Sequence, residues 1–246
     1  MRPIRSFDPA VLEPGQASDW LIGPVDDVGV TIRICRGGEA FAGAAEPASV
    51  ERFMLVLEGH VVLSVAGLEQ SATPGEVVFV PAAQTASVTA NSDTVWAEIE
   101  APLPAGTAPA GSGASVIQVD PAKFLGGGFA YQALIDRSSG SQTMRMNVLQ
   151  VAPGAGSPDF HIHAFAQIYL VQEGEMTLDI GRKRVRAGKN SVVFLPAGLV
   201  HRNFNASDAL ERHVSLLIPE PREGEIFDYA VTIADVEAKL LEGIPA

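Results

Sequence analysis

Hydrophobic positions in this chain come in short runs rather than in helical periods. Runs such as 77–80 and 192–195 are β-branched and apolar, and Gly, Pro and Asn residues bound them. Short apolar runs between turn-forming residues are typical of β-strands, and many such strands in series indicate an all-β domain. The exception is 231–242, where apolar residues recur at helical spacing before Gly243 and Pro245. The pattern therefore predicts an all-β fold class with a short C-terminal helix.

The strand pattern occurs twice, at a fixed offset of 115 residues. The segment 55–59 (Leu-Val-Leu-Glu-Gly) recurs as 170–174 (Leu-Val-Gln-Glu-Gly), and 77–82 recurs as 192–197. Between the copies, the Pro-, Gly- and Ala-rich stretch 101–115 cannot build a strand. The sequence thus predicts two tandem domains. Their boundaries are 1–105 for the first copy, 106–115 for the linker and 116–246 for the second copy.

The second copy contains residues of the kind that bind transition metals. His161, His163 and Gln167 have the same parity, so they would project from one face of an extended strand, with Tyr169 beside them. His201 follows a Pro-x-Gly turn, and a neighbouring strand would bring it opposite that face. Imidazole and amide ligands suit Mn, Fe, Ni, Zn or Cu better than Ca or Mg. We predict that these three histidines and Gln167 hold a single divalent transition metal.

Two alternatives remain open at this site. The histidines can be ordinary surface or core residues. Alternatively, they can belong to a former metal site that keeps its shape but no longer binds a metal. Tyr169 is the candidate catalytic residue, as a hydrogen-bond donor or acid near the metal, but a packing role is equally compatible with its position. Arg145 and Gln150 differ in parity on the preceding strand, so at most one faces inward. For His213, a buried structural or exposed position is expected more than a place in the pocket.

The first copy lacks the corresponding ligands. Subtracting the repeat offset from the four candidate ligands gives Glu46, Ala48, Arg52 and Ala86. Alanine cannot coordinate a metal and arginine repels a cation. We therefore predict that the metal site of the first copy is degenerate.

These motifs resemble those of the cupin superfamily. The first cupin motif corresponds to Gly156, His161, His163, Gln167 and Gly174, and the second to Pro196, Gly198, His201 and Asn205. Gln167 departs from the pattern, because the family has glutamate there. The resemblance implies two tandem barrels of jelly-roll type, an arrangement called a bicupin. A neutral glutamine would leave a divalent ion with its full charge, where a glutamate would halve it.

The layout is similar to the (S)-ureidoglycine aminohydrolase branch of the bicupins, which pairs a metal-free N-terminal cupin with a metal-bearing C-terminal one. The segment 144–155 also resembles that branch. The resemblance implies hydrolysis of a small polar metabolite with release of ammonia. The branch has Glu, His, His and Gln as ligands, however, and only His163 is unchanged. A ligand set with three histidines resembles that of the cupin dioxygenases that use Fe, Ni or Cu. A third interpretation is a non-catalytic cupin that binds a small molecule or a metal.

Composition limits the partners. The net charge of −12 disfavours nucleic acid, whose binding requires Lys and Arg to neutralise phosphates. No apolar stretch approaches the ~20 residues required to cross a bilayer, so no membrane partner is expected. A single cysteine allows no internal disulfide, and the N-terminus lacks an apolar signal, which together predict a cytoplasmic protein. The expected partner is a small-molecule substrate, and assembly into a homodimer or larger homo-oligomer is compatible with exposed sheet edges.

Overall fold

The computed structural model describes residues 3–38 and 49–233. These residues form an all-β protein, as predicted, in which the only helices of the described part are single 3-10 turns at Pro9–Val11, Pro24–Asp26, Pro121–Lys123 and Arg137–Ser139. The strands of the first half are β1 (Ile4–Ser6), β2 (Thr31–Arg36), β3 (Val50–Glu58), β4 (Val61–Val65), β5 (Leu68–Ala72), β6 (Val77–Val80), β7 (Ser87–Ala90), β8 (Val95–Pro102) and β9 (Ser115–Ile117). Those of the second half are β10 (Phe129–Ile135), β11 (Arg145–Val151), β12 (His161–Ile162), β13 (Ala166–Glu173), β14 (Glu175–Ile180), β15 (Lys183–Gly188), β16 (Ser191–Leu195), β17 (His201–Phe204), β18 (Glu211–Ile218) and β19 (Tyr229–Ala230). The predicted helix at 231–242 lies, apart from 231–233, outside the described residues.

Each half of the chain builds a barrel from two antiparallel sheets. The first barrel has the strand orders β2-β8-β3-β6-β9 and β5-β4-β7. The second has the orders β1-β16-β13-β18-β11-β10 and β15-β14-β17-β12-β19. The segments that repeat in sequence occupy matching places, because β6 lies beside β3 just as β16 lies beside β13. The repeat therefore reflects a duplicated barrel.

The larger sheets of the two barrels pack against each other. On β13, Ile168 and Leu170 belong to a core that also contains Phe53 and Phe79 of the first barrel, whose rings stack at 4.9 Å. Tyr169, the intervening residue, points instead into the interior of the second barrel. Because neighbouring side chains of a strand point to opposite faces, both faces of β13 are buried. This explains why the central strands are almost continuously apolar in sequence.

Each barrel also receives a short strand from the segment that precedes the other barrel. β1 pairs with β16 of the second barrel, and β9 pairs with β6 of the first. This reciprocal exchange means that residues 4–6 are hydrogen-bonded to the opposite half of the chain. The domain boundaries given above remain a prediction.

The interior of the first barrel carries different chemistry at the place that corresponds to Gln167. Arg52 lies opposite Val80 on β6, as Gln167 lies opposite Leu195 on β16. The Arg52 guanidinium lies 3.7 Å from the carboxylate of Glu98, which is buried. A cation thus stands where the second barrel has an amide. Glu46 and Ala48 lie outside the described residues.

Within the described part of the chain, no helix has the length and apolar character that crossing a membrane requires.

Candidate metal centre

Two paired strands bring two of the predicted ligands together. His161 on β12 lies directly opposite His201 on β17, which confirms the expected approach of the second motif to the first. The turn before β17 is tied to the same region, because the amide of Gly198 donates to the carbonyl of His163 at 2.9 Å. Gly198 has a positive φ of 77°, which explains why glycine occupies this turn.

The expectation that one strand carries His161, His163 and Gln167 was wrong. The chain leaves β12 after Ile162, bends at 164–165, and begins β13 at Ala166 in the other sheet of the barrel. Gln167 therefore approaches from a different sheet, at the corner where the two sheets meet. It still reaches the histidines, since its Oε1 lies 3.0 Å from Nε2 of His163.

The three histidines form a tight, buried cluster. One ligand atom of each lies within 4.8 Å of the others, and no other cluster of potential metal ligands of this kind occurs in the described residues. Their ring centroids are 4.5–5.0 Å apart, and the rings are tilted rather than stacked. All three side chains are at most 6% exposed.

Backbone carbonyl groups fix the orientation of all three rings. Because a carbonyl oxygen can only accept, each histidine Nδ1 must carry a proton and donate, so that the Nε2 of the neutral ring has a free lone pair. Metal-binding histidines usually have this type of partner on the second nitrogen. The Nδ1 to oxygen distances are 3.1 Å from His161 to Asp159, 2.8 Å from His163 to Phe227 and 2.9 Å from His201 to Leu199.

Burial also keeps two of these rings neutral. It lowers the pKa of His201 to about 4, with the other two histidines acting in the same direction and the Leu199 carbonyl opposing them. Burial likewise lowers the pKa of His163, against the opposing effects of the Phe227 carbonyl and the Asp228 carboxylate. Neutral imidazoles at pH 7 can offer lone pairs without first losing a proton.

The residues fit a metal ion on two counts. Nε2 of His201 is buried and has no hydrogen-bond partner among the described residues, which is a costly state that a cation would relieve. In addition, Nε2 of His163 and Oε1 of Gln167 face each other at 3.0 Å, although both present lone pairs. A cation between such atoms would satisfy both.

Gln167 is itself held by a polar network. The Tyr169 hydroxyl donates to its Oε1 at 2.8 Å, and its Nε2 donates to the Ser215 hydroxyl at 3.1 Å. The Tyr169 hydroxyl also lies 3.4 Å from Oδ1 of Asn203. Burial raises the pKa of Tyr169, so the hydroxyl keeps its proton and remains a donor. Tyr169 thus faces the centre, as its parity predicted, and its hydroxyl contacts Gln167 rather than one of the three clustered histidines.

His161 and His163 of the cluster line a cavity of about 340 Å³. That volume is at the lower end of small-molecule sites. The walls are partly aromatic, through Phe129, Tyr131, Phe165, Tyr169 and Phe227. Arg145 also lines the cavity and Gln150 does not, which settles the parity choice on β11.

His213 is both buried and part of the cavity wall, so the expectation that placed it outside the pocket was wrong in that respect. Its Nδ1 donates to Glu211, with distances of 2.8 and 3.1 Å to the two carboxylate oxygens. Its ring meets that of Tyr169 edge-on, at 4.9 Å between centroids.

Sequence reasoning missed several residues of this site. Asn203 and Ser215 belong to no recognised motif. Each lies two positions after a histidine on its own strand, Asn203 after His201 and Ser215 after His213, so strand alternation would have placed both on the inner face. Phe227 lies beyond the last long strand in an irregular stretch, and no periodicity marks it. It reaches the site because β19 pairs with β12, which draws the stretch across the cavity.

The second motif ends on a residue with a structural role. Asn205 is fully buried, and its amide donates to the carbonyls of Val151 and Ala209 at 2.9 and 2.7 Å. Its Oδ1 accepts from the amide of Ser207 at 2.9 Å. It therefore closes the loop that follows β17 and contributes nothing directly to the cavity.

Comparisons with known proteins agree with this architecture. The family model described as "Cupin domain" matches residues 147–216, which include all four predicted metal ligands. Among solved structures, the Lactobacillus farciminis oxalate decarboxylase in its formate complex has a TM-score of 0.67 at 11% identity, covering 94% of this chain and 89% of that one. Protein Ylba from E. coli has a TM-score of 0.65 at 16% identity, covering 91% and 93%. A point mutant of the salicylate 1,2-dioxygenase from Pseudoaminobacter salicylatoxidans has a TM-score of 0.58 at 13% identity, covering 77% and 71%.

No curated protein matches the chain. At such low identities the structural likeness establishes the fold alone. Residues 147–216 match the model of the cupin domain, and the chain shares its all-β barrel fold with these solved structures.

Proposed function

We propose that the second barrel is the active site of a metal-dependent enzyme that acts on a small polar metabolite. The observation that carries this proposal is the set of three buried imidazoles whose Nδ1 atoms all face backbone carbonyls. Core histidines that serve packing alone do not require three rings held in this way to converge, with two of them lining a cavity. His161, His163, His201 and Gln167 would hold the metal.

A divalent ion bound there would act as a Lewis acid on an oxygen of bound water or substrate. The residues of the chain would do the rest. Tyr169 keeps Gln167 in place and presents a protonated hydroxyl inside the site. Asn203 and Ser215 add further hydrogen-bonding groups beside Gln167 and Tyr169.

The first candidate reaction is hydrolysis of the ureidoglycine aminohydrolase type. It is supported by the tandem layout, in which only the second barrel has the candidate ligands. At the place of Gln167 the first barrel has Arg52, which pairs with Glu98. The polar cluster of Tyr169, Asn203 and Ser215 also provides groups that can hold a water molecule or a leaving amine.

The second candidate is oxidation by O₂, as in three-histidine cupin dioxygenases. The ligand set supports it, because three imidazoles converge here and no carboxylate belongs to the cluster. The salicylate 1,2-dioxygenase named above shares the fold. A non-catalytic binding role is the remaining alternative.

Two assays separate these candidates. Protein loaded in turn with Mn, Fe, Ni, Zn and Cu is incubated with ureidoglycine under anaerobic conditions, and with salicylate in the presence of oxygen. Release of ammonia without O₂ supports the hydrolase and excludes an obligate oxygenase. Oxygen consumption that depends on Fe(II) or Ni(II) supports the dioxygenase. If the purified protein contains no stoichiometric metal and takes up none, both enzymatic proposals fail.

A further inference from the structure

One positively charged side chain stands in the wall of the cavity without an acidic partner. Arg145, at the start of β11, is the only lysine or arginine that lines the cavity in the described part of the chain. No carboxylate of the described residues comes within 4 Å of its guanidinium. Glu220 lies near enough to be influenced by Arg145, but its ion pair is with Arg137, at 3.6 Å.

The guanidinium of Arg145 is held from two sides. Its Nε donates to Oδ1 of Asn147 at 3.0 Å, and its Cζ lies 5.7 Å from the centroid of the Phe227 ring. No protein group in the described residues accepts a hydrogen bond from its two terminal nitrogens. A half-buried guanidinium with both terminal nitrogens available matches the two oxygens of a carboxylate.

A continuous aromatic path joins Arg145 to the histidine cluster. The Phe227 ring lies 6.0 Å from the Phe165 ring, and Phe165 in turn stacks on His163 at 4.6 Å with an interplanar angle of 12°. The two phenylalanine rings are nearly perpendicular, with an interplanar angle of 74°. The cavity is therefore positively charged at Arg145, apolar along the two phenylalanines, and polar at the histidines. A ligand that matches it carries a carboxylate at one end of an apolar body.

Two other carboxylates lie near the cavity, and one of them, Asp228, lines it. Glu211 is buried and its two oxygens face His213. Asp228 is largely exposed, and its carboxylate lies 3.3 Å from Nδ1 of His163. Neither carboxylate forms an ion pair with Arg145.

We propose that Arg145 binds the carboxylate of the substrate, and that the substrate is a small organic acid whose apolar part lies against Phe165 and Phe227. This inference rests on the proposed function, because it names the substrate class of the same cavity. It narrows the range of metabolites from polar molecules in general to carboxylates of limited size.

The test uses benzoate as the probe and benzamide as its neutral isostere, with binding to the metal-loaded and the chelator-treated protein measured by calorimetry. We expect benzoate to bind at least about ten-fold more tightly than benzamide. Arg145→Gln should weaken benzoate binding by at least about ten-fold and leave benzamide unchanged. Arg145→Lys keeps the charge but loses the planar guanidinium, so its affinity for benzoate should lie between those of the wild type and Arg145→Gln. Arg186→Gln is the matched control, since Arg186 is exposed on β15 and pairs with Glu175.

Failure of benzoate to bind, equal binding of benzoate and benzamide, or equal benzoate affinity in the wild type and Arg145→Gln would each overturn the proposal. The comparison of the two probes on the wild-type protein needs no variant, so it holds even if a substitution disturbs folding. Metal content is measured on the same samples. If the protein prefers benzoate to benzamide but holds no metal, the carboxylate site stands and the proposed function fails. If it holds metal but binds benzoate and benzamide equally, the proposed function stands and the carboxylate site fails.

Discussion

The hydroxyl of Tyr169 lies 2.8 Å from Oε1 of Gln167 and donates a hydrogen bond to it. The two residues stand on the same face of β13, two positions apart, so the tyrosine supports the amide from within the barrel. Gln167 is the only predicted ligand that is not a histidine and the only one from this sheet. Its orientation therefore depends on Tyr169 and on Ser215, which accepts from the other end of the amide.

Tyr169→Phe removes the hydroxyl and keeps the ring. Gln167 then loses one of the two bonds that orient it, and we expect metal affinity to fall roughly ten-fold. The free energy of unfolding of the metal-free protein should fall by about 1–2 kcal/mol, because buried polar partners are left unsatisfied. Competition against a chelator measures the affinity. Tyr131→Phe is the control, because Tyr131 also lines the cavity and its hydroxyl makes no hydrogen bond within the described residues. Unchanged metal affinity in Tyr169→Phe would show that Gln167 needs no support or is no ligand.

Acid should destabilise the metal-free protein through His201. The folded protein holds the pKa of His201 at about 4, whereas an unfolded histidine has a pKa of about 6.5. Below pH 6.5 the unfolded state thus binds more protons, and stability falls as the pH is lowered. The stability that the folded protein owes to a neutral His201 is complete above about pH 6.5 and is lost progressively towards about pH 4. Its size is on the order of 3 kcal/mol.

Urea unfolding of chelator-treated protein at several pH values between about 7 and about 4.5 measures this slope. His201→Gln should have a shallower slope, because the buried group no longer titrates. His60→Gln should keep the wild-type slope, since His60 is the exposed histidine of the first barrel. A wild-type slope in His201→Gln would assign the acid sensitivity to other groups, such as His163.

The sequence predicted the barrels and the histidine cluster because both depend on local patterns. Strand-length apolar runs mark the duplicated fold, and His161 and His163 lie close together in the chain. Parity failed at Gln167, because the strand ends after Ile162 and the chain changes sheets. A parity argument holds only while the backbone stays extended, and the residues 164 and 165 of the bend carry no Gly or Pro to announce it.

Contacts across long stretches of chain account for the remaining omissions. The carbonyl of Phe227 accepts from His163 across 64 residues. That contact follows from the pairing of β19 with β12, and each of those strands has only two residues. Such short strands leave no recognisable period in a sequence. Backbone carbonyl partners are also independent of the side chain at their position, so sequence cannot identify them.

Glu51 joins the two halves of the chain. It is fully buried on β3. Its carboxylate accepts from the hydroxyls of Ser141 and Thr143 at 3.0 and 2.6 Å, and from the backbone N–H of Gln142 at 2.9 Å. Glu51→Ala would leave these donors buried without an acceptor. We expect the free energy of unfolding to fall by about 2–4 kcal/mol, with metal content unchanged.

Denaturant unfolding together with metal analysis tests this expectation. Glu58→Ala is the control, because Glu58 lies on the same strand and is exposed. A loss of stability no greater than that of Glu58→Ala would mean that Glu51 does not stabilise the contact between the halves. A loss of metal from Glu51→Ala would instead mean that this contact supports the metal centre.

The central claim is that three histidines and one glutamine bind a transition metal. The most direct measurement is elemental analysis of protein purified without chelator, in the wild type, His163→Ala and His60→Ala. We predict a stoichiometric transition metal in the wild type and in His60→Ala, and its loss or strong depletion in His163→Ala. Wild-type protein that contains no metal and takes up none, or a His163→Ala variant that holds as much metal as the wild type, would contradict the account.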